Sequence, residues 1–245
     1  MTSNPSALAA LRGEPSYVWR AGQERRLQMV AKWATLHNAH VLEAGGGVGM
    51  YASQFRRRYT PHVELFDIEL ERVIEAQSET PTAIVAAAEY LPYPDNTFDT
   101  ILSHEVLEHV IDDRASVAEM ARVLKVGGRM VIFVPNRWYP FETHGHYWKG
   151  EYHFGNTPLI NYLPDRWRNK LAPHVRAYTK RSLNKLFVGL PLKKVHHRRI
   201  YGGYDNIIAK IGTPAKWVRD FLYLGEGTPF DTWGLSHFIV LEKIG

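Results

Sequence analysis

The chain predicts an α/β fold built on a mostly parallel sheet with helices on both faces. Three observations predict it. Short apolar runs alternate with amphipathic stretches over residues 40–134. The first apolar run, Val41-Leu42-Glu43-Ala44, passes straight into Gly45-Gly46-Gly47-Val48-Gly49 and then into an amphipathic segment, the pattern of a buried strand, a tight turn and a helix start. A length of 245 residues suits one large domain carrying an insertion and can bury a substantial core.

Taken in order, residues 1–20 are polar and irregular, with Pro5, Gly13 and Pro15 breaking any helix. A helix is expected over 23–36, with Leu27, Val30, Ala31 and Ala34 on one face. Strand one covers 40–44 and its helix 48–57. Strand two covers 62–66 and is ended by Asp67, with a helix over 69–77. Strand three lies at 83–85. The run Leu91-Pro92-Tyr93-Pro94-Asp95-Asn96 is dense in turn formers, and strand four follows at 98–103. Asp112 suits the N-cap of a helix reaching 124, which Gly127-Gly128 closes. Strand five occupies 129–134. From 137 to 175 the periodicity stops, and Trp138, Tyr139, Phe141, Tyr147 and Trp148 mix with Pro140, Pro158 and Pro164. A stretch this long without a period reads as a functional cap. A helix at 180–190 and a strand at 193–200 restore order, a second excursion spans 201–234, and the last strand covers 236–242.

Composition narrows the function classes. There is no Cys, which excludes disulfides, thiolate metal sites and a cysteine nucleophile. No apolar run reaches the ~18–20 residues of a membrane span, and residues 1–12 lack the order of a signal peptide, so a soluble, cytoplasmic protein is expected. The net charge is +5. Much of it sits in Arg56-Arg57-Arg58 and in the 193–199 run, both outside the cap, so nucleic acid is not the expected partner; a small-molecule acceptor is.

The glycine turn reads as a holder of a nucleotide or carboxylate, with the helix behind it aiming free N–H groups at the ligand. Two frames compete for it. Gly47-Val48-Gly49-Met50-Tyr51-Ala52 satisfies a dinucleotide fingerprint, with Asp67 twenty residues beyond Gly47. In that fingerprint, however, the first glycine follows the strand directly, and no Tyr-x-x-x-Lys pair serves hydride transfer. The other frame is Glu43-x-Gly45-x-Gly47-x-Gly49 with an acid ending strand two. It resembles the first motifs of the class I S-adenosylmethionine-dependent methyltransferases. The resemblance continues through residues 88–99, Glu105-Val106-Leu107-Glu108-His109-Val110 and residues 121–129, and covers 41–136 in order. It implies a Rossmann-like seven-stranded sheet with an antiparallel last strand, in a single domain over 1–245 with the cap insertion at 137–175 and a second insertion at 201–234.

The roles follow from what that cofactor presents. Backbone N–H groups around Gly45, Gly47 and Gly49 can receive the methionine carboxylate, and Glu43, counted with them among the cofactor-binding residues, stands where the family more often has Asp. The Asp67 carboxylate can take both ribose hydroxyls, and Ile68 would pack on adenine. Ala88 and Glu89 match the pair that lines the adenine edge in the family. Ala87 stands where Asp is common, so Glu89 or a carbonyl must receive the adenine amino group. Ser103 and His104, ending strand four, would sit near the methionine and sulfonium. Arg20 or Tyr17 is placed to close over the carboxylate.

Glu105, Glu108 and His109 share one face if their segment is helical. Two carboxylates and an imidazole so placed can hold a divalent cation. The pattern also resembles the metal site of the ubiquinone-pathway O-methyltransferases and the small-RNA 2′-O-methyltransferases, in which a later histidine completes the site; His144 falls in that region. Without a metal, His109 or His104 is the candidate general base. The expected function is S-adenosylmethionine-dependent O-methylation of a small-molecule, lipid-linked or glycan acceptor. An NAD(P)-dependent oxidoreductase and a cofactor-binding, non-catalytic homologue are the alternatives.

Overall fold

The structure, a computed structural model, describes residues 17–245. The expectations for Pro5, Gly13, Pro15 and the start of the chain lie outside the described residues. Helix α1 (Ala21–Trp33) leads into β1 (Val41–Ala44), α2 (Met50–Arg58), β2 (Val63–Asp67), α3 (Leu70–Ala76) and β3 (Ala83–Val85). Then come β4 (Phe98–His104), α4 (Asp113–Val123) and β5 (Leu124–Pro135). Beyond two insertions the sheet is completed by β10 (Leu192–Ile200), preceded by α6 (Lys180–Leu186), and by β11 (Ser236–Lys243).

These strands form one seven-stranded sheet in the order β10-β11-β5-β4-β1-β2-β3. From β3 to β5 all pairs are parallel, and β11 alone runs against its neighbours on both sides. Period-2 alternation explains why such apolar strands are stable here, because both faces are covered. In β5, Met130, Ile132 and Val134 enter the core beneath α4 and α6, while Val131 and Phe133 enter the core beneath α1 and α2. β11 divides likewise, with Ile239 and Leu241 on one face and Phe238 and Val240 on the other.

The insertions are more ordered than their sequence suggests. The cap folds as two small ribbons, β6 (Phe141–Glu142) with β9 (Thr157–Pro158) and β7 (His146–Trp148) with β8 (Glu151–His153), followed by α5 (Asp165–Leu171). The second excursion is a helical hairpin, α7 (Asp205–Ile211) and α8 (Thr213–Leu224), and a single-turn helix at Pro229–Trp233. One end of α4 is as expected and the other is corrected. Asp112 does cap α4, its Oδ1 accepting from the Ala115 N–H at 2.9 Å. The helix stops at Val123 with Leu124 already extended, so Gly127-Gly128 lies within β5, where the pairing with β4 jumps from Phe98–Leu124 to Thr100–Arg129. The basic run 193–199 is strand β10, its Arg199 buried against Asp231.

Candidate active site

Strand order reverses between β1 and β4, and open α/β sheets bind ligands at the carboxyl ends of strands where the order reverses. A cavity lies there, lined by Gly45, Asp67, Ile68, Ala88, Glu89 and Val106, with Glu105 and His109 also on its wall. Asp67 ends β2 with both oxygens already oriented by backbone. Oδ2 accepts from the Gly47 N–H and Oδ1 from the Glu69 N–H, each at 2.9 Å. The Glu89 Oε1 accepts from the Ile111 and Asp112 N–H groups and so ties this wall of the cavity to the start of α4.

The turn after β1 needs its glycines. Gly45, Gly47 and Gly49 hold φ of 62°, 55° and 81°, and a Cβ on Gly46 would meet the Leu65 side chain at 2.4 Å. The expectation that α2 points its first amides at a ligand is corrected for Tyr51 and Ala52. The helix begins at Met50, and its first turn faces back beneath the loop, where Glu43 Oε2 accepts from the Ala52 N–H at 2.6 Å and the Tyr51 N–H bonds the same carboxyl. The Gly46, Gly47 and Gly49 amides go to Phe66 O, Asp67 and Gly46 O. Glu43 is therefore a buried brace, and burial pushes its carboxyl up to about 8.

Strand β4 ends in Ser103 and His104. The Ser103 hydroxyl is buried and has no partner among the described residues. His104 is packed against the Tyr51 and Phe133 rings, and its Nε2 meets the Arg26 guanidinium. Burial, then the Arg26 charge, pushes this imidazole down to about 3. Its lone pair is engaged, so the general-base role offered to His104 does not hold. Arg26 also reaches Glu105 Oε1 at 3.2 Å and the Ser236 hydroxyl at 3.0 Å. Tyr17 contacts Glu75 on α3, and Arg20 is exposed at the start of α1; Arg26 is the side chain of the leading segment that enters the site.

The segment after β4 is not helical. Glu105 sits at φ 56°, and a single turn closes from the His109 N–H to Val106 O. The carbonyls of this turn accept from distant residues. Tyr178 Oη donates to Leu107 O, the Arg176 N–H to Glu108 O, and the Arg176 guanidinium to Val110 O and Ile111 O. Glu105 leaves the expected metal set for Arg26 because the helical spacing that joined the three residues is absent.

Glu108 and His109 do meet His144. One ligand atom from each lies within 4.8 Å of the others, with His144 Nε2 at 3.9 Å from Glu108 Oε1. Both Glu108 oxygens and His109 Nδ1 are buried without a hydrogen-bond partner among the described residues. Burial, then the neighbouring Glu105 charge, raises the Glu108 carboxyl well above the usual range; burial, then His144, pushes His109 down to about 4. His144 is oriented from behind, its Nδ1 at 3.1 Å from Glu142 Oε1, and Glu142 is paired with the buried Arg168 at 2.8 Å. A carboxylate backing one ring nitrogen fixes which nitrogen faces forward. Burial opposes ionisation of Glu142, but His144 and Arg168 outweigh it and hold the carboxyl at about 2. Sequence reasoning missed Glu142 and Arg26; the only signal was their spacing, Glu142 two residues before His144 on an alternating stretch and Arg26 beside the buried Leu27.

A glycine turn after β1, an acid ending β2 and a cavity where the strand order reverses define a nucleotide-binding α/β domain. Comparison with known proteins carries this further. The family described as a methyltransferase domain matches residues 42–132. A ubiquinone/menaquinone biosynthesis C-methyltransferase of Cupriavidus pinatubonensis is 30% identical over 181 residues, covering 66% of this chain and 71% of the relative. That of Cupriavidus metallidurans is 31% identical over 145 residues, 52% of this chain; the chain spans 59% of that relative's length. Among solved structures, an S-adenosylmethionine dependent methyltransferase from Mesorhizobium loti superposes with a TM-score of 0.64 at 16% identity, covering 91% of this chain and 98% of that one. The [4+2]-cyclase SpnF superposes at 0.60 and 16% identity, covering 93% and 84%, so the fold by itself does not name the reaction. The chain belongs to the class I S-adenosylmethionine-dependent methyltransferases. Its relatives are the quinone-pathway enzymes above, and family membership sets aside the nicotinamide reading. Among the described residues no helix is long and apolar enough to cross a membrane.

Proposed function

We propose that this chain transfers a methyl group from S-adenosylmethionine to a hydroxyl oxygen of a small-molecule, lipid-linked or glycan acceptor, in the cytoplasm. The observation that carries the reading is the buried Glu108 carboxyl, without a hydrogen-bond partner among the described residues, facing His109 and His144 beside the cofactor cavity. In this reading Asp67, oriented by two backbone amides, takes the ribose hydroxyls, and Ile68 and Val106 pack on adenine. Methyl transfer breaks the sulfonium C–S bond as the acceptor O–C bond forms, and the C–S electron pair stays on sulfur. The protein must align the two centres, exclude water and take the hydroxyl proton.

Glu108, His109 and His144 also fit a divalent cation, because orphaned donors in a buried site are what a cation would satisfy. When bound, it would lower the pKa of an acceptor hydroxyl. In the metal-free version the His109 imidazole, neutral and with Nδ1 unpartnered, takes the proton itself.

The relatives favour a second reading, methylation of a ring carbon next to such an oxygen, since they are named C-methyltransferases. Incubation with S-adenosylmethionine carrying a carbon-13 methyl and a panel of phenolic, lipid-linked and glycan acceptors separates the readings. An O–CH₃ resonance is expected; its loss on chelation and return with added Mg²⁺ or Mn²⁺ would assign the metal version, and its survival the His109 version. A C–CH₃ resonance would replace the first reading with the second. Cofactor binding without turnover would leave only a binding protein.

A further inference from the structure

Helix α8 packs on the body by its polar edge. The Tyr223 hydroxyl donates to Gly202 O at 3.1 Å, the Arg25 guanidinium lies 3.9 Å over the Tyr223 ring, and Arg219 approaches the same ring. Neither α7 nor α8 has a fully buried residue. On its outer side α8 carries Trp217, Phe221 and Leu224 at i, i+4 and i+7, exposed by 70%, 72% and 78%. A helix that joins a core turns such a stripe inward; here it faces out. Ile207 and Ile211 of α7 and Phe230 beyond α8 are also exposed, and line one cavity with Val218 and Leu222 of α8. A surface helix that exposes so many large apolar side chains marks an interaction site.

Charge selects the occupant. Three of the four acids of the hairpin and its flank are ion-paired, Asp220 by Arg219, Glu226 by Arg25 and Asp231 by Arg199, while Asp205, half-buried, accepts from the Gly22 N–H on the body side. Lys210 and Lys216 are exposed and make no ion pair among the described residues. Two unneutralised cations flanking a Trp- and Phe-bearing stripe match an anionic lipid surface. A second copy meeting this face about a two-fold axis would bring like charges together. At twelve residues α8 is about 18 Å long, which suits lying in the headgroup plane rather than crossing it. Behind the stripe a cavity of about 820 Å³ is walled by Tyr139, Phe141, Tyr204, Ile211, Val218 and Leu222. Ile211 and Val218 belong to both the cavity wall and the exposed face.

We infer that the α7–α8 hairpin docks on the surface of an anionic lipid bilayer, with the cavity behind it open to a hydrocarbon chain from that surface. This rests on the hairpin alone and holds whatever the methyl acceptor is.

Flotation with vesicles tests it without cofactor or turnover. The full chain is expected to float with vesicles of phosphatidylcholine and phosphatidylglycerol in equal parts, and to bind phosphatidylcholine alone at least about tenfold more weakly. Replacing Trp217→Ser together with Phe221→Ser should cost about tenfold on the anionic vesicles. Replacing Lys210→Glu together with Lys216→Glu should erase the preference for them. All four side chains are exposed, and circular dichroism confirms that each variant folds. No flotation with either vesicle, or flotation unchanged in both variants, overturns the inference. So does a wild-type dimer that the Trp217 and Phe221 replacements dissociate in the absence of vesicle binding, which would give the face to a second copy.

Discussion

Glu43 shows how a residue inside a cofactor motif can act without touching the cofactor. Its carboxyl, pushed up to about 8 by burial, is mainly protonated at neutral pH and braces the first amides of α2. Its stabilising part is therefore the hydrogen bond, not the charge. Glu43→Gln keeps an oxygen for the Ala52 N–H and should leave stability within about 1 kcal/mol of the parent, whereas Glu43→Ala orphans a buried donor and should cost about 1–3 kcal/mol. Urea unfolding of the two variants checks this. A Gln variant as unstable as the Ala variant would mean that the ionised form matters. Asp67, by contrast, could be placed from the sequence as the acid ending the second strand, but its bonds to the Gly47 and Glu69 amides could not, because they depend on the folded glycine turn.

At the scale of elements, the strand–turn–helix units over 41–85 could be read from the sequence because each is fixed by residues within a few positions of one another. The 105–111 turn could not. Its Glu-x-x-Glu-His spacing is that of a helix, and nothing local reveals that its carbonyls are satisfied from 65 to 71 residues away by Arg176 and Tyr178. The α7–α8 hairpin was hidden for another reason: Gly212 and Pro214 interrupt its pattern, and its apolar stripe has no core to match. The turn's dependence on Tyr178 is measurable. Tyr178→Phe removes the hydroxyl that bonds Leu107 O and Asp113, and should cost about 1–2 kcal/mol. Hydrogen exchange should quicken across 107–111 and stay unchanged in β1. Uniform quickening would instead show that Tyr178 supports only the global fold.

Across the whole molecule, the buried histidines set the response to acid. His237 Nε2 faces the Tyr178 carbonyl at 2.9 Å and must donate to it, so Nδ1 accepts from His197 Nε2, also at 2.9 Å. This chain of bonds needs His237 Nδ1 free of a proton, and charging both rings would set two N–H groups face to face. Burial first, then the neighbouring positive groups, pushes His197 down to about 3 and His237 to about 4, and His104 and His109 move the same way. Below the unfolded value of ~6.5 the unfolded chain binds protons that the folded chain refuses, so stability is lost as pH falls from about 6.5 towards about 4. Glu43 opposes this. Its raised folded pKa makes the folded chain the better proton binder between about 4.5 and about 8, so its contribution grows as pH falls through that window. His146, His174 and His196 are lowered as well, so seven depressed histidines stand against the two raised carboxyls, Glu43 and Glu108, and predict a net loss on acidification. Urea titrations at about pH 7, 6 and 5 should show unfolding midpoints that decline with acid. The decline should steepen in Glu43→Gln, which removes the opposing group, and flatten in a His197→Asn, His237→Asn double variant. A midpoint that rises with acid, or a double variant with the parent's slope, would show that this buried pair does not govern the response.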